Sequence, residues 1–408
     1  MDRSKDLDGA GCYGRPCIRY QEVEIIRMGL LKYKRLASWF ALVMLCASAV
    51  VKAQAVNDRP GKLDRFTPGA IWTDNHGVHI NAHGGGILYN KGRYYWFGEH
   101  KIEGSAGNRA MVGVHCYSSK DLYNWKDEGI ALAVSPDSTN DIAKGCILER
   151  PKVVYNKKTG KYVMWFHLEL RGQGYKAART GLAISDKATG PYRFIRSYRP
   201  NAGFMPVYPP GTPESEQVDC AHTKSKSEGF FCRDLPGGQM ARDMNLFVDD
   251  DGKAYHIFSA EENFTLDIAE LNSDYTAHTG KFTRVYAGHQ TEAPALFKHN
   301  GVYYLIGSGT TGWDPNPARC FSAPSIWGPW TYHGNPCKGA GSELTFGGQS
   351  TYVLPVAGKK DAFIFMADKW APRNAIDGRY LWLPIVFKGD DIEINWLDNW
   401  KLEVFDKR

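Results

Sequence analysis

The sequence predicts an all-β fold, a five-bladed β-propeller, on three observations. One phrase recurs five times: an apolar pair, a polar turn, then a second apolar or aromatic strand. The 408 residues include 43 Gly, 12 Trp, 22 Tyr and 19 Phe, a bias toward strands and turns rather than helical bundles. Long apolar patterns of helical period are absent, which counts against a (β/α)₈ barrel, where helices must alternate with strands.

The five copies run from Ile87-Leu88 to Trp96-Phe97, Val153-Val154 to Trp165-Phe166, Leu246-Phe247 to Ile257-Phe258, Leu296-Phe297 to Leu305-Ile306, and Val353-Leu354 to Ile364-Phe365. Between them lie Asn90-Lys91-Gly92, residues 156–160, residues 249–252, His299-Asn300-Gly301 and Ala357-Gly358. Asn, Asp and Gly tolerate the positive φ of tight turns, so each copy reads as a hairpin. Further strands are expected at 111–117, 180–185 and 267–271, and outer strands after 121–125 and 327–330. The rhythm begins near residue 80 and ends near 400, so residues 54–408 are expected to form a single domain. Residues 200–240, with six prolines, Cys220 and Cys232, break it. They read as an excursion between blades two and three, either roofing a site or lying idle on the surface.

Residues 36–51 carry no charge, follow Lys32, Lys34 and Arg35, and precede the small-residue pattern Val51-Lys52-Ala53. This is the order of a secretory signal, expected over 28–53, with 1–27 an over-read upstream extension. The apolar run is shorter than the roughly 20 residues of a membrane span. The mature chain is therefore expected in the periplasm or outside the cell, free of the membrane and monomeric. Six cysteines then remain, and the local pairs Cys220–Cys232 and Cys320–Cys337 are the expected disulfides. The formal charge is +6, but residues 1–53 hold nine Lys/Arg against five Asp/Glu, so the body is nearly neutral. Bulk charge gives no support to nucleic-acid binding.

In a propeller, equivalent positions at the start of each inner strand converge on the axis. Four residues before each apolar pair stand His83, Glu149, Arg242 (with Asp243 next), Glu292 and Gln349. Polar groups seldom recur at five matched buried positions without a function. At the far ends of the hairpins lie Glu99, His167, Glu169, Glu261-Glu262-Asn263, Thr310-Thr311-Gly-Trp313-Asp314 and Asp368-Lys369-Trp370. Their amides and carboxylates suit sugar hydroxyls, and Trp313 or Trp370 suits a sugar face. Crowded carboxylates without a nucleophile motif fit glycoside hydrolysis, where one acid must stay protonated and a second group activates water. No cysteine–histidine spacing resembles a zinc site, and no phosphate or dinucleotide loop is present, so no cofactor or metal is expected.

The phrases Ile80-Asn-Ala-His-Gly-Gly-Gly-Ile87, Glu149-Arg-Pro-Lys-Val153, Arg242-Asp-Met-Asn-Leu-Phe247, Thr291-Glu-Ala-Pro-Ala295 and Gly347-Gly-Gln-Ser-Thr351 resemble glycoside hydrolase family 43, and within it the exo-β-1,3-galactanases. The resemblance spans residues 70–400. It implies a five-bladed propeller and inverting hydrolysis that releases galactose from the non-reducing end of β-1,3-galactan and its oligosaccharides. It places the general acid on Glu292 and, on Asp243, the residue that tunes and orients it. The blade-one Asp of typical members is replaced by Asn81-Ala-His83, as in the galactanase branch. The base is then Gln349, acting through an imidic tautomer, or Glu149. The resemblance puts Glu99, Tyr175, Asn263 and Thr311 on the terminal galactose. The alternatives are an α-L-arabinofuranosidase or β-xylosidase of the same family, or a non-catalytic carbohydrate-binding propeller.

Overall fold

The computed structural model describes residues 62–214, 217–223 and 226–407, so the extension and export signal expected in residues 1–53 lie outside the described residues. Five sheets follow one another within the unit Pro60–Arg408. Blade one is β1 (His83–Asn90), β2 (Arg93–His100), β3 (Gly113–Ser119) and β4 (Lys126–Ala133); blade two is β5 (Ile147–Asn156), β6 (Lys161–Glu169), β7 (Arg179–Ser185) and β8 (Arg193–Tyr198). Blade three is β9 (Met244–Val248), β10 (Ala254–Ala260), β11 (Thr265–Leu271) and β12 (His278–Val285); blade four is β13 (Glu292–His299), β14 (Val302–Ser308), β15 (Ala318–Ala323) and β16 (Thr331–Gly334). Blade five is β18 (Gln349–Pro355), β19 (Phe363–Lys369), β20 (Arg379–Lys388) and β21 (Asp391–Asn395), with the short β17 (Cys337–Lys338) pairing parallel to β21. The innermost strands β1, β5, β9, β13 and β18 meet in that order, and β18 meets β1 to close the ring. This is the five-bladed propeller that the repeat predicts.

The recurring phrase is the inner hairpin of each blade. Ile87 pairs with Trp96, Val153 with Met164, Leu246 with His256, Leu296 with Leu305 and Val353 with Phe365. The turns use positive φ where expected, at Lys91, Gly92, Asn300 and Gly301. Each blade is packed between two neighbours, so its middle strands bury both faces. That is why β6, Lys161–Glu169, is buried at every residue after the first and reads as an apolar run rather than an alternation.

The first and last blades are not joined by a shared sheet. An aromatic cluster closes them instead: Phe66, Trp72, Trp96, Trp125, Tyr380, Trp382 and Trp400. Phe66 pairs its backbone with Trp400, its N–H donating across 2.8 Å. The fully buried Tyr380 hydroxyl accepts from the Ala82 N–H at 3.0 Å and donates to the Ile80 carbonyl at 2.7 Å. One side chain of blade five thereby satisfies two backbone groups at the start of blade one.

The excursion contains helix α1 (Lys226–Arg233), and Cys220 is bonded to Cys232 as expected. It packs against blade three through Val218 and Phe231 on Ala287, and through the Val207 N–H on the Phe282 carbonyl at 2.8 Å. The expected Cys320–Cys337 bridge is not formed. Both thiols are free and buried in the apolar cluster between blades four and five, where they act as small core residues.

Tyr380→Phe removes a hydroxyl that two buried backbone groups depend on. It is expected to lower unfolding stability by about 1–3 kcal/mol, measured by urea denaturation, with Tyr332→Phe on the exposed outer strand changing little.

Candidate active site

The inner strands start with a shared irregularity. The β1–β2, β5–β6 and β13–β14 ladders slip after His83, Glu149 and Glu292, and the β18–β19 ladder slips after Ser350. The next residue in the first three is left-handed: Gly84 (φ 58), Arg150 (φ 55) and Ala293 (φ 56). A bulge of this kind re-aims the preceding side chain, at a cost of about 1–3 kcal/mol for the non-glycine positions. At Gly84 only glycine fits, because a Cβ would stand 2.2 Å from Glu99 Oε1.

These strand starts and the opposite hairpin ends enclose a pocket of ≈ 250 Å³, room for one pyranose ring. Its wall includes Glu99, Glu149, His167, Tyr175, Arg242, Asp243, Asn263, Glu292, Trp313, Gln349 and Trp370, eleven of the residues expected from the sequence. Two expectations are corrected. His83 does not line the pocket: its ring is fully buried and stacks on Tyr380 at 5.5 Å, at the seam between blades one and five. Thr311 does not line it either. Its hydroxyl donates to the Asp314 carbonyl and accepts from Asn316, and its neighbours Gly312 and Trp313 take the wall position. None of the described residues of 200–240 lines the pocket, so the described part of the excursion does not roof it.

The carboxylates divide by partner. Glu99 ion-pairs with Lys101 at 2.5 Å and accepts from the Arg150 N–H at 3.0 Å. Asp243 ion-pairs with Arg150 at 2.7 Å. Glu149 accepts from Tyr175 at 2.7 Å and from Asn108 at 3.1 Å, and it meets His167 at 2.9 Å. The other His167 nitrogen meets Glu169 at 3.0 Å. Burial favours the neutral Glu149, but His167, Lys101 and Tyr175 outweigh it and hold the carboxyl down to about 2. Burial works against the His167 cation as well, yet its two carboxylate partners raise it to about 9. Glu292 differs in kind. Its oxygens receive only neutral amides, Gln349 at 2.8 Å and Asn263 at 3.1 Å. Burial first, then the Asp243 charge, raises its pKa to about 8. It is thus a protonated carboxyl at neutral pH, poised to donate.

Gln349 makes four hydrogen bonds. Its amide donates to Glu292 and, at 3.0 Å, to Ser308. Its carbonyl accepts from Arg150 at 2.6 Å and Trp370 at 2.9 Å. Both of those partners are donor-only groups, which favours the ordinary amide over an imidic tautomer bearing O–H there.

Sequence reasoning passed over Arg150 and Lys101. Arg150 holds Asp243, Gln349 and the Ser350 carbonyl together and lies 5.1 Å from the centre of the Trp370 ring. The signal for it was present in the Glu149-Arg-Pro-Lys phrase, but an arginine after a bulged glutamate alternates outward in an ideal strand. Glu149, His167 and Asp243 offer three ligand atoms within 4.8 Å of one another. Internal pairing already occupies them, with both His167 nitrogens engaged.

A propeller whose axial pocket sets one protonated carboxyl, Glu292, beside the ionised Glu149 is the framework of an acid-catalysed glycosidase. The sequence profile of glycosyl hydrolases family 43 matches residues 223–383. A family 43 β-1,3-galactosidase, solved with galactodeoxynojirimycin, is 52% identical; the match covers 83% of this chain and 100% of that one, with a TM-score of 0.76. An exo-β-1,3-galactanase from Phanerochaete chrysosporium, solved with β-1,3-galactotriose, is 32% identical over 83% of this chain and 68% of its own, TM-score 0.68. The exo-β-1,3-galactanase from Clostridium thermocellum is 34% identical over 82% and 66%, TM-score 0.68. A xylan 1,3-β-xylosidase from Vibrio sp. is 32% identical over 122 residues, so the match spans only 23% of that enzyme. The chain belongs to glycosyl hydrolase family 43.

The raised Glu292 pKa sets an alkaline limb: kcat/KM is expected to fall above about pH 8 as the acid ionises. The folded chain holds this proton between roughly pH 4.5 and 8, whereas the unfolded chain releases it, so this carboxyl costs stability as pH rises through that window. Glu292→Gln is therefore expected to lack the alkaline limb in the activity that remains. Its melting temperature at pH 9 should equal or exceed that of wild type, read by differential scanning calorimetry.

Proposed function

We propose that this chain is an exo-acting, inverting glycoside hydrolase that releases galactose from the non-reducing end of β-1,3-galactan. The observation that carries the reading is the one-ring pocket in which Glu292 alone among the wall carboxyls lacks a cationic partner. A pocket with room for one ring suits a chain end rather than a chain middle. The activities of the three similar propellers described above support the galactan substrate. The partial likeness to the xylosidase covers too little of that enzyme to favour a pentoside.

In this reading Glu292 protonates the glycosidic oxygen as the bond to the terminal sugar breaks. Asp243 keeps that proton on Glu292 through its negative charge and is itself fixed by Arg150. Lys101, Glu99 and Tyr175 bind hydroxyls of the terminal sugar. Water is activated on the opposite face. We assign that task to Glu149, an ionised carboxylate on the pocket wall, and give Gln349 the task of positioning Glu292. Residues 28–53 support export, which places the enzyme with polymeric or oligomeric galactan outside the cytoplasm.

The test is product analysis on β-1,3-galactotriose by proton NMR. Galactose is expected first as the α-anomer, with Glu292→Gln at least about 10³-fold slower. An intact trisaccharide with wild type would overturn the substrate assignment. For the base, Glu149→Ala is expected to lose about 10³-fold in kcat and to recover in part with azide, an external nucleophile that takes the place of activated water. Azide rescue of Gln349→Ala, and not of Glu149→Ala, would transfer the base role to Gln349.

A further inference from the structure

We infer that Arg284 is a positioning residue for the general acid: it clamps the Glu261–Asn263 turn to the disulfide-closed excursion, and that turn aims Asn263 at Glu292. The inference rests on the reading of Glu292 as the acid and adds to it the residues that keep its carboxyl aligned with the departing oxygen.

Asn263 is the link to the chemistry. Its amide donates to Glu292 Oε2 at 3.1 Å. Among the described residues its side chain makes no other hydrogen bond, and its own Oδ1 is buried without a partner. The backbone therefore decides where the amide points.

That backbone is strained. Glu261, Glu262 and Asn263 join β10 to β11 as three consecutive left-handed residues, none of them glycine (φ 54, 59 and 63). Such a run persists only where its surroundings over-determine it. Two anchors are present. Glu262 meets Arg242 at 2.8 Å and Arg233 at 3.4 Å, but its side chain is 35% exposed, where solvent screens an ion pair. Glu261 meets Arg284 with both side chains fully buried, and there the loss of either partner strands buried polar groups. Burial pushes the Glu261 carboxyl up to about 7 against the pull of Arg284, yet Oε1 accepts from the guanidinium in either protonation state. The buried anchor is the firmer of the two.

Arg284 stands on β12, and its choice of partners sets its role. Opposite it in the β11–β12 ladder is Asp267, whose carboxyl is fully buried and makes no hydrogen bond among the described residues. The guanidinium passes over this neighbour. Nε bonds Glu261 at 3.0 Å, and Nη2 bonds both Glu261 and the Phe231 carbonyl of α1. Nη1 reaches the Tyr208 hydroxyl at 3.2 Å, which also accepts from the Val218 N–H at 3.2 Å. Phe231 precedes Cys232 of the Cys220–Cys232 disulfide. All three nitrogens are thus spent on joining the turn to the excursion, and an excursion that does not roof the pocket still bears on its acid.

The test separates acid alignment from general damage by the leaving group. The trisaccharide needs its leaving oxygen protonated, whereas fluoride departs from β-galactosyl fluoride with little help from an acid. For Arg284→Lys, kcat on β-1,3-galactotriose is expected to fall about tenfold with KM within about twofold, and turnover of the fluoride to change by less than about twofold. Tyr208→Phe keeps every charge and removes one contact of the clamp. It is expected to lose about threefold on the trisaccharide alone, and it decides the matter if Arg284→Lys does not fold. In an Asn263→Ala background neither substitution is expected to lower the trisaccharide kcat further, because the link is already cut. Equal losses on both substrates, wild-type trisaccharide kinetics in the folded variants, or a full-sized effect in the Asn263→Ala background would each overturn the inference. Glu292→Gln is the control, expected to lose the trisaccharide and keep the fluoride. If it loses or keeps both alike, the acid assignment itself fails, an outcome distinct from failure of the clamp.

Discussion

The Arg150 guanidinium is the constraint on which the site depends. It is buried, it stands on a left-handed bulge, and it bonds Asp243 from blade three and Gln349 and Ser350 from blade five. Its own backbone N–H fixes Glu99 from blade one. A buried charge persists only when paired and hydrogen-bonded, so these partners cannot be moved independently. Three other blades converge on one residue of blade two, two through its side chain and one through its backbone, and the pocket floor inherits its geometry from that convergence.

Charge balance then determines chemistry. Four carboxyl groups line the pocket: Glu99, Glu149, Asp243 and Glu292. Lys101 answers the first, His167 the second and Arg150 the third. The fourth meets neutral amides, so burial and the neighbouring Asp243 keep its proton on. Burial raises Glu99 as well, despite Lys101, but of the four only Glu292 has no ion-pair partner to oppose burial. The rim follows the same logic, with Glu262 shared between Arg233 and Arg242.

Ring closure provides the rigidity this requires. Adjacent blades bury their sheets against one another, and the seam between first and last blades is filled by aromatic rings and tied by the Tyr380 hydroxyl. His83, placed at the matched strand start, is drawn into that seam rather than the pocket. The register that predicts convergence on the axis is correct for the strand, but the side chain follows the packing demand of the seam.

Local chemistry made the five hairpins, their turns and eleven wall residues legible in the sequence, because apolar pairing, turn geometry and strand register are set by nearest neighbours. Glu292, Asp243, Glu149 and Gln349 were legible for that reason. Tertiary structure alone decided what those residues are electrostatically. Arg150 turns inward only because a bulge gives it a φ that no residue pattern announces. Thr311 yields the wall to Trp313 because its hydroxyl closes a turn. Cys320 and Cys337 remain apart as core thiols although the spacing invited a bridge. Burial and charge pairing are sums over five blades, and such sums exist only once the ring has closed.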